Sequence, residues 1–185
     1  MRIGIISDTH GSSTAFRKAL EILGRCDVIL HAGDVLYHGP RNPLPEGYNP
    51  KELAEVINGI ETPMLISAGN CDAAVDQMVI SIPVQSPYAL FCFDGRRLLL
   101  SHGHEMDEET LEKLAAKWKV DILVTGHTHV KGIKKLPGLL HINPGSCSLP
   151  KDGVPSAALI EDNLVVLLDL NTGNVVQREK LCENP

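Results

Sequence analysis

Seven side chains of metal-binding type recur at short spacings along the chain: Asp8, His10, Asp34, Asn70, His102, His127 and His129. They fall in the clusters Asp8-Thr9-His10, Gly33-Asp34, Gly69-Asn70-Cys71-Asp72, His102-Gly103-His104 and Gly126-His127-Thr128-His129. Imidazole, carboxylate and amide oxygen suit first-row divalent ions, with Mn the first candidate ahead of Fe, Co, Ni or Zn. Two carboxylates, three or four imidazoles and an amide are too many donors for one tetrahedral site, so the set points to two ions. Two such ions bring about +4 of charge, of which Asp8, Asp34 and a bridging hydroxide offset about −3. The residue of roughly +1 favours a phosphate oxyanion, and ions about 3.5–4 Å apart can clamp an ester and activate the attacking water.

Each residue alone has a plainer reading. Asp8 after a strand is an ordinary helix N-cap, Asn70 beside Gly69 is an ordinary turn, and a single His10 or His102 is an ordinary surface or core histidine. Five such clusters in order, each after an apolar run, carry the metal reading. Gly33, Gly69 and Gly126 each precede a candidate ligand, where the backbone needs unusual dihedrals or close approach.

The elements that must position these residues follow from hydrophobic periodicity. Residues 2–7, 28–31 and 64–69 read as buried strands, and 13–25 and 51–60 as helices, the first capped by Ser12 or Ser13. Residues 37–50 hold four Pro and two Gly, which excludes helix or central strand. This long loop, with Arg41 as a candidate phosphate contact, is expected to select substrate or meet another subunit. Asp94-Gly95 marks a hairpin between strands at 89–93 and 96–101. A helix at 107–119 starts acidic and ends basic, as the helix dipole favours. Strands follow at 122–125, 139–142, 157–161, 164–170 and 175–180. The pattern is α/β, with two sheets, helices on their outer faces, and a site outside the carboxyl ends of the strands.

The 185-residue length fits one domain, read as 1–185, with an ordinary apolar content of 43%. A net charge of −6 and the absence of a basic block argue against a nucleic-acid platform. The five cysteines, Cys26, Cys71, Cys92, Cys147 and Cys182, are odd in number and form no CxxC pair, so reduced thiols in a cytoplasmic protein are expected. Residues 2–7 are too short for an export signal, and no apolar stretch approaches the ~20 residues that span a bilayer.

The motifs Asp8-x-His10, Gly33-Asp34, Gly69-Asn70-x-Asp72, His102-Gly103 and Gly126-His127-x-His129, extended by Asn143-Pro144-Gly145-Ser146, resemble those of the calcineurin-like metallophosphoesterases. The likeness is strongest to the small YfcE-type bacterial phosphodiesterases. The resemblance implies a four-layer αββα sandwich and a homo-oligomer acting on a small phosphodiester. It implies that Asp8, His10 and His129 hold one metal, that Asn70, His102 and His127 hold the other, and that Asp34 bridges them. A metal-bound hydroxide would then attack phosphorus. Many members carry His directly after the motif Asn; Cys71 stands there instead, and either donates a proton or only packs beside the site. Asp72 is expected to orient a ligand or touch substrate, and His104 to face substrate or solvent. A phosphomonoesterase is the alternative within the family. A non-catalytic protein-binding scaffold on the same fold, as in the retromer subunit, is the alternative outside catalysis.

Overall fold

The structure, a computed structural model, describes residues 1–181; Cys182 lies outside them. Two mixed sheets stack face to face. The first contains β1 (Ile3–Ile6), β2 (Val28–His31), β3 (Met64–Ser67), β4 (Val84–Gln85), β10 (Ser156–Glu161), β11 (Leu164–Asp169) and β12 (Val175–Lys180), in the order β12-β11-β10-β1-β2-β3-β4. The second contains β5 (Tyr88–Phe93), β6 (Arg96–Ser101), β7 (Ile122–Val124), β8 (Gly132–Leu136) and β9 (Leu139–Asn143), in the order β5-β6-β7-β9-β8. Helices α1 (Ser13–Leu23) and α2 (Pro50–Asn58) cover the first sheet, and α3 (Glu108–Lys117) covers the second.

The layers follow from the alternation of side chains along strands. Ile3 and Ile5 face Leu98, Leu100, Ile122 and Val124 in a core between the sheets. Ile6 and Ile66, on the other face, meet Phe16, Leu23, Leu53 and Ile57 from α1 and α2. Leu99 and Leu123 turn outward onto Leu111 and Ala115 of α3. Three cores between four layers make the αββα sandwich.

Strands β1, β2, β3 and β4 run parallel, as do β6, β7 and β9. Their carboxyl ends therefore gather at one edge. The candidate clusters come from both sheets: three follow strands of the first and two follow strands of the second.

Local chemistry sets the element ends. Ser12 caps α1, accepting from the Ala15 amide. Helix α1 stops at Leu23 because Gly24 turns to φ 64°, so it ends two residues short of the expected 25. Pattern reading missed β8, whose sequence GIKKL is nowhere fully buried and pairs only with β9; lysines suit such an edge. It also missed the short 3-10 helix Ala74–Met78 and the two-residue β4. The loop 37–50 is strapped to the start of α1: the Ser12 hydroxyl donates to the Glu46 carbonyl, the Ser13 amide to Gly47, and the Asn49 amide to Gly11.

Phe16 is fully buried beneath the first sheet. Replacing it with Ala should cost about 3–5 kcal/mol. Urea unfolding should show a lower midpoint at constant slope. A loss below about 1 kcal/mol would mean that the helix layer relaxes to fill the gap.

Candidate metal centre

The turns after β1, β2, β3, β6 and β7 carry Asp8 and His10, Asp34, Asn70, His102, and His127 and His129. Asp8 (φ 54°), His10 (46°), Asp34 (57°), His127 (67°) and His129 (58°) all adopt left-handed backbone. That conformation is uncommon outside glycine and concentrates at functional sites. The preceding glycines serve mainly close approach. A Cβ on Gly69 would fall 2.2 Å from Asp34 Oδ1, and one on Gly126 would fall 2.0 Å from Ser7 Oγ.

Three imidazoles are held from behind by backbone carbonyls. His10 Nδ1 lies 2.9 Å from the Tyr37 carbonyl, His102 Nδ1 2.6 Å from Ala32, and His129 Nδ1 2.6 Å from Leu149. A carbonyl can only accept, so each Nδ1 carries the proton and each Nε2 points inward. There His10 Nε2 and His129 Nε2 stand 3.1 Å apart. Asp8 Oδ1 is 3.2 Å from His129 Nε2 and 3.6 Å from His10 Nε2. Asp34 Oδ2 is 3.4 Å from His102 Nε2 and 3.7 Å from His10 Nε2. Three ligand triads result, Asp8–His10–His129, Asp8–Asp34–His102 and His10–Asp34–Cys71.

The carboxylates are fixed in the same way. Asp8 Oδ2 accepts from the Ser7 hydroxyl at 2.6 Å and the His127 amide at 3.1 Å. Asp34 Oδ1 accepts from the Cys71 amide at 2.8 Å. The facing atoms Asp8 Oδ1 and His102 Nε2 are buried without a hydrogen-bond partner among the described residues. Orphaned buried polar atoms are costly, and converging carboxylate and imidazole lone pairs are what a divalent cation satisfies. The residues therefore fit the metals that the donor set implied.

Electrostatics agree. Burial opposes the charge on Asp8, but the close imidazoles of His10, His129 and His102 outweigh it and hold the carboxyl far below its ordinary range. Burial likewise opposes charge on His102, yet Asp34 and Asp8 raise it to about 9.

The remaining candidates differ in how closely they join. The ring of His127 lies 5.2 Å from that of His102, and His127 is half-buried. Asn70 is exposed, its amide donating to Cys71 Sγ. Asp72 spends its carboxylate on the backbone of the ligand turns rather than on a histidine. Its carboxylate accepts from the amides of Asp34, Val35 and Gly69 at 2.7–2.8 Å, bracing two ligand turns together. Cys71 lies within reach of His10 and Asp34, and burial, with the Asp34 charge, pushes its thiol up to about 12. His104 leaves Nδ1 buried without a partner and sits 5.4 Å, ring to ring, from His102. Arg41 is exposed on the loop 37–50, whose contribution to the cage is the Tyr37 carbonyl on His10.

Sequence reasoning missed several supports. Ser146 and Ser148 hydroxyls donate to the Asp8 carbonyl at 2.8 and 2.9 Å. Asn143 donates to the Gly126 carbonyl at 2.8 Å. His31 accepts from the Gly33 amide at Nδ1 and meets the Thr9 hydroxyl at Nε2. It thereby links the turns carrying Asp8 and Asp34. The motif Asn143-Pro144-Gly145-Ser146 was the one available signal.

Comparison with known proteins places the chain. The family model of the calcineurin-like phosphoesterase superfamily domain matches residues 1–163. The chain belongs to that superfamily. It is similar to the phosphodiesterase YfcE of Escherichia coli K12, at 36% identity over 95% of this chain and 96% of that one. The solved structure of the E. coli phosphoesterase YfcE superposes with a TM-score of 0.88 at 32% identity, covering 98% of this chain and all of that one (100%). Vacuolar protein sorting 29 from Cryptosporidium parvum shares the phosphoesterase fold at a TM-score of 0.68 and 26% identity, with 97% of each chain covered.

His31, fully buried behind the cage, supplies a pH test of the site. Burial, against the pull of Asp8, pushes it down to about 4. A histidine depressed by folding contributes its full stability above its ordinary value of about 6.5 and loses it as pH falls through about 4. Its ring resonances in NMR should stay unshifted from pH 8 to about 5.5. A midpoint near 6.5 would show that the pocket admits water.

Proposed function

We propose that this phosphoesterase hydrolyses phosphodiesters with a pair of divalent ions, Mn the first candidate, in the cytoplasm and as a homo-oligomer. The observation that carries the proposal is the convergence of His10, His102 and His129 Nε2 on the inner oxygens of Asp8 and Asp34. The name of the E. coli relative supports the diester over the monoester. Among the described residues no helix is long and apolar enough to cross a membrane, and Cys26, Cys71, Cys92 and Cys147 are free thiols, in keeping with that compartment.

Asp8, His10 and His129 would hold one ion, and His102, His127 and Asn70 the other, with Asp34 shared between them. When bound, the ions supply Lewis acidity and lower the pKa of an attacking water. The chain's own contribution is positional: carbonyls behind the imidazoles fix their tautomers, and Asp72 and Ser146 fix the turns. A thiol pushed up to about 12 is a poor general acid near neutral pH. Cys71 therefore packs beside the cage, and esters with good leaving groups are favoured. All the candidate ligands of the sequence are present, which supports catalysis over a scaffold role.

Metal-stripped protein should regain hydrolysis of an aryl phosphodiester on addition of Mn, Co, Ni or Zn singly, faster than of the matching monoester. Asp34→Asn and His127→Ala should each lower that turnover more than about 100-fold with the fold retained. Full metal-dependent turnover by Asp34→Asn would remove the bridging role. A folded protein inactive with every metal would favour the scaffold.

Loading should also strengthen as pH rises toward 9, because the ion displaces the proton on His102. Calorimetry at pH 7.5 in buffers of differing ionisation heat should detect proton release. Heats that do not depend on the buffer would mean that loading displaces no proton from His102.

A further inference from the structure

A groove of about 810 Å³ opens beside the cage, within the size range of small-molecule sites. His104 and His127 are among its lining residues. Asp8, His10, His102, His129 and Asp34 are each no more than 3% exposed, whereas His104 and His127 are only half-buried. The cage is therefore reached from the side of His104 and His127, which also line the groove, and of the exposed Asn70.

The wall chemistry restricts the occupant. Met106, Leu111, Val130 and Ile133 supply apolar surface. The charged side chains are already engaged. Lys134 lies 2.9 Å from Glu108 and 2.8 Å from Glu112, Lys131 lies 2.6 Å from Asp152, and Asp107 accepts from Thr110. Glu112 is held in turn by His141 at 2.9 Å. A second phosphate here would face Asp107 and Glu108 and would have to break the Lys134 pairs. An uncharged group leaves those ion pairs intact.

We propose that this groove receives an uncharged, largely apolar organic ester group of the substrate, of aryl size or larger. The proposal rests on the phosphodiester reading and narrows it: polyanionic diesters such as nucleic acids are poor substrates. The groove also suits a chain of net charge −6 that must hold a phosphate ester. The cage takes the anion, and the groove takes the neutral arm.

Non-hydrolysable phosphonates carry a single organic arm and test this by calorimetry on the Mn-loaded full chain. 2-Naphthylphosphonate should bind at least about 10-fold tighter than methylphosphonate, the gain expected from burying one ring. 4-Carboxyphenylphosphonate should lose most of that gain. Val130 is an exposed groove residue at 46%, so Val130→Trp should fold, as circular dichroism would check, and fill the groove. It should abolish the naphthyl advantage while changing methylphosphonate affinity less than about two-fold. Equal affinities for the methyl and naphthyl compounds in the wild type would overturn the proposal, as would an equal loss for all three in Val130→Trp. Phosphonate binding that discriminates as expected, with no turnover of an aryl diester, would instead overturn the phosphodiester reading alone.

Discussion

The site depends on a shared arrangement: an imidazole held at Nδ1 by a backbone carbonyl, with Nε2 turned into a buried point. His10, His102 and His129 all obey it. One such histidine would be a satisfied core residue. Three of them, facing the inner oxygens of two buried carboxylates, leave His10 Nε2 opposed to His129 Nε2 and leave Asp8 Oδ1 without a partner. Water or a hydrogen-bond donor could meet one of these atoms. A small multivalent cation meets them all. Without metal, the same demand appears as the raised proton affinity of His102 beside Asp34 and Asp8.

That convergence requires turns that ordinary backbone would resist. Five candidate ligands sit at positive φ, each at a cost of order 1 kcal/mol or more. Gly69 and Gly126 let neighbouring chains come closer than a methyl group would allow. Such turns persist because the parallel strands beneath them are locked between three apolar cores, and because Asp72, Ser146 and Asn143 tie one turn to the next. Rigidity in the sheets and strain in the loops are two halves of the same device.

Much of this was legible in the chain. Asp, His and Asn directly after apolar runs betray themselves, because burying them there needs a reason, and the runs themselves mark β1, β2, β6 and β7 closely. The family resemblance supplied the layer order and the ligand division. The parts that were not legible share a cause. Tyr37, Ala32 and Leu149 act through carbonyls, which carry no side-chain signature, and they lie 27, 70 and 20 residues from the histidines they hold. Asp72 read as a residue aimed at ligand or substrate, but its oxygens are spent on three amides. Strand β8 reads as loop because edge position, not burial, selects its lysines. The groove joins residues from 103 to 143 that no spacing rule connects.

The claim at the centre is that two ions occupy one cage and share a carboxylate. Electron paramagnetic resonance of the metal-stripped chain, titrated with Mn(II), tests it most directly. At two equivalents the account predicts the many-line spectrum of an exchange-coupled pair about 3.5–4 Å apart, lost in Asp34→Asn. A six-line spectrum of isolated ions at every ratio, or saturation at one equivalent, would contradict it.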